Sequence, residues 1–369
     1  MSYDAILLVS FGGPEGPGQV MPFLERVTAG RGVPRERLEE VAQHYLALGG
    51  VSPINAQNRA LLAEMKSSFL RNNIELPLYW GNRNSDPYIA TTLQEIYQDG
   101  YRNVLAVVTS AYSSYSGCRQ YRENLATALE EVGLTGKLTI DKVRHYFDHP
   151  GFVNPFIAGV SKALTEMMEA ETFAAGQIKI FFTTHSIPIS MANTTGPEER
   201  REEFPEGAYT AQHKATAALI MAGVSRNLGL EIAALPKWEL VYQSRSGAPT
   251  IPWLEPDIGA AISQAGADGY KGICVVPIGF VSDHVEVIWD LDTEAKEIAD
   301  SLNLAFSRVQ TPGVAKEFVD GISELINERL LNLPMEQKRA LSNLGPWPDY
   351  CAINCCLNLR APKAAVAQR

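Results

Sequence analysis

Residues 275–292, VVPIGFVSDHVEVIWDLD, leave an apolar, strand-like run and at once present Asp283, His284, Glu286, Asp290 and Asp292. Carboxylates and imidazole move protons near neutrality and bind divalent first-row cations. Two local geometries compete for this stretch. As a continuing strand it places His284 and Glu286 on one face. As a helix start it makes Asp283 an N-cap, with Glu286 three residues on, and sets Glu286 and Asp290 on one face, where like charges raise a pKa or invite a cation. The plainer reading is a helix cap followed by a solvated acidic face.

A second imidazole stands in TTHSIP (183–188), where His185 leaves another strand-like run and Pro188 stops the turn. A lone histidine is usually a satisfied structural residue, but at a strand exit it points into a cleft, and the two readings weigh equally here. His185 opposite Glu286 and Asp290 suits a divalent cation held loosely by nitrogen and oxygen. There is no HExxH and no paired CxxC, so transient metal handling or proton transfer fits better than a permanent zinc site.

A third group, TSAYSSYSGCRQYREN (109–124), interleaves tyrosines, small hydroxyls and two arginines. Arginine with tyrosine suits carboxylates carried on an aromatic or macrocyclic ligand. The plainer reading is a helix N-terminus with exposed arginines. A nucleophilic Cys118 ranks below both, since no base is evident beside it. The loop FGGPEGPG (11–18) has neither GxGxxG nor a Lys-Ser/Thr after its glycines, so it reads as a tight strand-to-helix turn against a flat ligand rather than a nucleotide cradle.

Short apolar runs alternate with longer helical patterns along the chain, the signature of a parallel sheet covered by helices. Strands are expected near 5–9, 77–81, 103–109, 138–141, 178–183, 238–243 and 272–278. Helices are expected near 17–28, 35–46, 55–71, 87–98, 119–132, 151–170, 208–228, 256–265, 293–302 and 314–331. The fold class is α/β, in two similar Rossmann-like halves with a cleft between them. Residues 1–148 form the first half and 149–333 the second, whose last helix packs back on the first. HYFDHPGF (145–152) marks the break. Residues 334–369 read as an irregular, cysteine-bearing tail ending in disorder. Ligands of such sheets sit beyond the carboxyl ends of the strands, and the six loops there hold nearly every residue named above.

The chain has 369 residues, 46% of them hydrophobic, with a formal net charge of −10. That length supports a sizeable core, and the acidity excludes a global field for nucleic acid or an anionic membrane. No stretch approaches the roughly 20 apolar residues that span a bilayer, and no secretory leader is evident. A soluble, cytoplasmic protein is expected. Five cysteines, an odd number, argue against a disulfide framework.

Taken in order, LLVSFGGPE, YLALGGVSPINAQN, YWGNRNSDPYI, SAYSSYSGCRQYREN, TTHSIP, VYQSRSGAPTIPWLEPD and VPIGFVSDHVEVIWDLD resemble the ferrochelatase family over about residues 4–330. The first and fourth are most similar to its actinobacterial branch, the coproporphyrin ferrochelatases. The resemblance implies insertion of Fe²⁺ into coproporphyrin III in haem biosynthesis, with release of two protons, in the cleft between two Rossmann-like halves; a monomer with transient contacts to neighbouring enzymes of that pathway is expected. It implies that His185 and Glu286 form the pair at the metal and pyrrole face, with Asp290 as a further metal group and Asp292 behind it. It assigns Ser52 and Tyr121 to the propionates and Phe11, Tyr45, Arg83 and Arg31 to the rest of the substrate wall. Phe11 stands where some relatives carry an iron-ligating tyrosine, and His44 where some carry a propionate-binding arginine. It also implies a [2Fe–2S] cluster on Cys351, Cys355 and Cys356, with Cys118 or Cys274 as the fourth ligand. Alternatives are a protoporphyrin ferrochelatase, a cobalt or nickel chelatase for another tetrapyrrole, and a porphyrin or haem carrier without catalysis.

Overall fold

The computed structural model describes residues 2–30, 32–170, 173–246 and 250–368. The apolar run that opens the chain is strand β1 (Ala5–Ser10), and every one of its residues is buried. Such a run needs cover on both faces, which only helices packed above and below a parallel sheet supply. Strands β2 (Leu78–Asn82), β3 (Asn103–Val108) and β4 (Thr139–Lys142) complete a parallel sheet in the order β2-β1-β3-β4. The second half repeats the plan: β5 (Ile178–His185), β6 (Lys237–Gln243), β7 (Gly272–Val276) and β8 (Ala305–Arg308) pair in the order β6-β5-β7-β8.

Between the strands of the first half run α1 (Pro17–Val27), α2 (Arg35–Ala47), α3 (Ile54–Arg71), α4 (Ile89–Gln98) and α5 (Gln120–Glu131), the last preceded by a π-helical turn, Tyr115–Arg119. The second half carries α6 (Pro150–Ala170), the short α7 (Ile189–Ala192), α8 (Gly207–Leu228) and α9 (Ile258–Ala267). Next comes one continuous rod made of α10 (Val285–Val287), a π-helix (Ile288–Ala295) and α11 (Lys296–Ser301), and then α12 (Lys316–Leu330).

The halves share their largest core. Ile6, Leu8 and Leu105 of the first sheet and Ile180, Phe182 and Val276 of the second pack in one cluster around Phe152 and Phe156 of α6. Truncating a fully buried phenylalanine of this kind costs about 3–5 kcal/mol. Helix α12 does pack back on the first half: Ser68 and Arg71 of α3 each donate to Asp320, both at 2.8 Å.

Two features depart from the sequence reading. Strand β8 was not expected, because AFSR has no apolar run and each of its residues is only half-buried. It is an edge strand recruited by pairing with β7. The tail end, expected to be disordered, folds back: Cys351 N donates to Ala367 O (3.3 Å) and Val366 N to Arg122 O (3.2 Å). Composition underrates this segment, since it is held by backbone bonds and by a few buried groups, among them Trp347 packed on Phe147. Among the described residues no helix is long and apolar enough to cross a membrane.

Candidate active site

His185 is the last residue of β5 and pairs in register with Gln243, the last of β6. Both therefore open at the carboxyl edge of the second sheet. His185 Nδ1 donates to the carbonyl of Ser186, which leaves Nε2 as the lone-pair nitrogen. That nitrogen lies 3.9 Å from Glu286 Oε2. The two side chains keep 34% and 44% of their surface exposed, so both reach the cleft. The strand end is braced from below: Tyr209 of α8 donates to the His185 carbonyl (2.9 Å) and bonds Thr184 Oγ1 (2.7 Å).

Of the two geometries open to residues 283–290, the chain takes the helical one, in altered form. Extended His284, not Asp283, occupies the N-cap position of α10, and no side chain caps the helix. Asp283 instead accepts from Arg308 (3.2 Å) and Thr311 (3.1 Å). Burial pushes the His284 imidazole below its ordinary value, against the opposing pull of Glu286, so it stays neutral beside Phe280.

Glu286 and Asp290 do share a face. Asp290 is pushed up to about 7, first by burial and then by Glu286 and Glu294, against the hydrogen bonds it accepts from Ser244 and Gln243. It can therefore hold a proton at neutral pH. Asp292 does not stand behind this pair as expected: the Arg308 fork takes it at 2.5 and 2.9 Å. Sequence reasoning missed this role of Arg308, which lies on the unexpected edge strand. It missed Tyr209 as well, since nothing in a helical run distinguishes a tyrosine that braces a distant strand.

The opposite wall comes from the first half. Val285 inserts among Val20, Phe23, Leu24, Leu38, Ala42 and Tyr45 of α1 and α2. The Tyr45 hydroxyl is held well above its ordinary value by burial and by the nearby Glu286 and Asp290, so it faces the acids as a neutral group. Phe11 meets Phe23 edge to face and Phe23 meets Tyr45 tilted, with centroids 6.1 and 5.9 Å apart. Arg83 lies over Phe11 (5.4 Å) and Tyr121 (4.5 Å), and its Nε donates to Asn124 (2.7 Å). His44 stacks flat on Trp289 of the π-helix at 4.3 Å, joining the walls.

The FGG turn is tight, as its sequence requires: Gly12 has φ +78°, and a Cβ there would lie 2.5 Å from Ser85 Oγ. Ser52 is buried where a Cβ on Gly13 would strike it at 2.6 Å, so it lies under the turn. The structure thus brings His185, Glu286, Asp290 and Tyr45 together, and gathers Phe11, Arg83 and Tyr121 nearby. Arg31 lies outside the described residues.

The cysteines form a separate site. Cys118, in the π-helical turn before α5, packs with Cys351, Cys355 and Cys356 in one buried cluster. The Cys118 and Cys351 sulfurs are 3.8 Å apart and those of Cys355 and Cys356 3.6 Å. Cys351 is drawn well below the ordinary thiol value by hydrogen bonds from Cys118 and Cys355, with help from Lys142 and Arg122. Cys274 lies in β7 within the shared core, away from these sulfurs. Among the described residues, no group of three or more His, Cys, Asp or Glu side chains is arranged to hold a single metal ion.

The family profile described as Ferrochelatase matches residues 3–330. A coproporphyrin III ferrochelatase of Leifsonia xyli subsp. xyli is 52% identical, over 100% of this chain and 94% of its own length. One from Streptomyces griseus subsp. griseus is 50% identical, over 99% of this chain and 96% of its own length. Among solved structures, SirB from Bacillus subtilis with Fe³⁺ is similar with a TM-score of 0.49 and 12% identity, covering 90% of this chain and 97% of that one.

Proposed function

Since the chain belongs to the ferrochelatase family, we propose that it inserts Fe²⁺ into coproporphyrin III as a soluble, cytoplasmic, monomeric enzyme of haem biosynthesis. The observation that carries this is the approach of His185 Nε2 to Glu286 Oε2, 3.9 Å apart, at a strand edge facing a wall of Phe11, Tyr45, Arg83 and Tyr121. As iron enters, two pyrrole N–H protons must leave. The His185 lone pair suits the abstraction, and Glu286 with Asp290 offers the protons a path out or the cation a path in. Arg83, Tyr121 and Ser52 suit the substrate's propionates, one by charge and two by hydroxyl. At a net charge of −10 only such local groups favour an anionic porphyrin.

Anaerobic steady-state metalation tests the reading. With Fe²⁺, kcat/KM on coproporphyrin III should exceed that on protoporphyrin IX by at least about tenfold. Equal values would remove the substrate assignment. Higher turnover with Co²⁺ or Ni²⁺ on sirohydrochlorin would replace the enzyme assignment.

We also infer that Cys118, Cys351, Cys355 and Cys356 hold a [2Fe–2S] cluster. Thiolates are its usual ligands, and four buried sulfurs from distant parts of the chain otherwise have no common purpose. When bound, such a cluster supplies a one-electron couple and a crosslink between the tail and the start of α5. Cys118→Ser should abolish the visible absorption and lower iron and sulfide content, while Cys274→Ser should leave both unchanged. Equal loss in the two variants would overturn the ligand set.

A further inference from the structure

Among the described residues, two buried cations near the four cysteines have no carboxylate partner. Arg122 is fully buried on α5. Its Nε donates to the Val366 carbonyl (2.9 Å) and its Nη2 to Gln368 Oε1 (3.3 Å), both neutral acceptors, and its Nη1 has no partner. Lys142, at the end of β4, is 4% exposed, and its ammonium donates to the Val143 carbonyl at 3.2 Å. Among the described residues neither cation has a carboxylate within ion-pair distance.

The other buried arginines are handled differently. Arg119 is paired with Glu123 at 3.1 Å, Arg144 with Glu328 at 2.8 Å and Arg329 with Asp141 at 3.0 Å. A buried cation left without a counter-ion is strongly disfavoured, so two of them around the same cysteines point to an anion there.

Both cations act on the same two sulfurs, Cys118 and Cys351. Arg122 is within electrostatic reach of all four cysteines. Lys142 reaches Cys118 and Cys351, and with Cys118 it lines a cavity of about 10 Å³, the room that one water needs. An oxidised cluster of two ferric ions, two sulfides and four thiolates is a dianion, which two cations would balance. We propose that Arg122 and Lys142 are the counter-charge of the cysteine cluster site, and that Arg122 is the positioning residue that ties the last residues of the chain to that charge.

The tie is visible in the bonds. The Arg122 guanidinium grips Val366 and Gln368, while Val366 N returns to the Arg122 carbonyl and Cys351 N bonds Ala367 O. Tail docking and cluster charge therefore meet on one side chain. The same helix presents Tyr121, the neighbouring residue, to Arg83 in the proposed porphyrin wall.

This inference rests on the cluster reading, and its test separates the two. The purified full chain, wild type and variants, is assayed for iron and sulfide and titrated anaerobically with dithionite against redox dyes. Reduction adds one electron and makes the cluster more negative, so removing a nearby cation disfavours it. Arg122→Met and Lys142→Met should each lower the reduction potential by about 59 mV, a tenfold change in the one-electron equilibrium. Arg122→Lys keeps the charge but loses the fork, so it should hold the potential near the wild-type value while trypsin cleaves the tail after Arg360 or Lys363 several-fold faster. Failure of both methionine variants to retain iron and sulfide, with Arg122→Lys retaining them, would support the same conclusion. Wild-type potentials in both methionine variants at full cluster content would overturn the counter-charge. Absence of iron and sulfide from the wild type would sink the cluster reading itself, and the counter-charge with it.

Discussion

The two halves repeat one strand order, β2-β1-β3-β4 and β6-β5-β7-β8, yet the loops at their carboxyl edges are built from different chemistry. In the first half the loops are locked by neutral groups. Asn55 Nδ2 donates to the Gly13 carbonyl (3.1 Å), Asn58 to Ser10 (2.9 Å), and Gly13 N to Ser85 (3.0 Å). In the second half the same edge carries His185, Glu286 and Asp290, with Asp290 crowded upward to about 7. A neutral lattice satisfies its own buried groups and stays put, which suits holding a rigid macrocycle. A titratable wall must remain partly exposed so that protons and a cation can reach it. On the proposed function, one fold divides its labour: the first half would hold the substrate and the second would react with it.

That division can be broken by substitution, and the largest effect should come from the reacting half. Glu286→Gln keeps shape and removes the charge, so kcat for metalation should fall on the order of 10²–10⁴-fold while coproporphyrin affinity, read by fluorescence quenching, stays within about threefold. Parallel loss of turnover and binding would instead assign Glu286 a structural role. His185→Ala should behave in the same way, with turnover lost and porphyrin retained.

A smaller effect of the opposite kind belongs to the holding half. Arg83→Met removes a cation from the proposed propionate wall and should raise KM for coproporphyrin about tenfold, or about 1.4 kcal/mol, with kcat little changed. A kcat effect as large as that of Glu286→Gln would dissolve the distinction between the halves.

A further effect is on stability rather than turnover. Asp290 has a folded-state pKa of about 7, above the ordinary carboxylate value, so between these pH values the folded chain binds more protons than the unfolded one. Its contribution is present at low pH and is lost as pH rises from about 4 to about 7, at up to about 1.4 kcal/mol per unit. Asp148, raised to about 6 by burial, slopes the same way, so the informative quantity is wild type minus Asp290→Asn in urea melts across that range. A pH-independent difference would show that Asp290 is not shifted in the folded protein.

Much of this was legible from residues alone. Apolar runs announced most of the strands among the described residues, because a strand covered on both faces must be continuously apolar. Strand ends drew attention to His185 and Glu286, and the structure places them 3.9 Å apart. Edge strand β8 was hidden, since a half-covered AFSR carries no such signature, and with it went the partners of Asp283 and Asp292. Cys118 and Cys274 were equal candidates in sequence because each belongs to an ordinary α/β segment.

The sequence by itself determined that two parallel α/β halves would present an imidazole and a group of acids at their strand ends, since local periodicity and strand-end position carry that information. Only the tertiary structure decided which acids remain available, that Cys118 and not Cys274 joins the tail sulfurs, and that Arg122 comes within electrostatic reach of them. Those choices depend on which strands become neighbours and on where the tail docks. Both are set by long-range packing among residues far apart in the chain, and no local pattern encodes them.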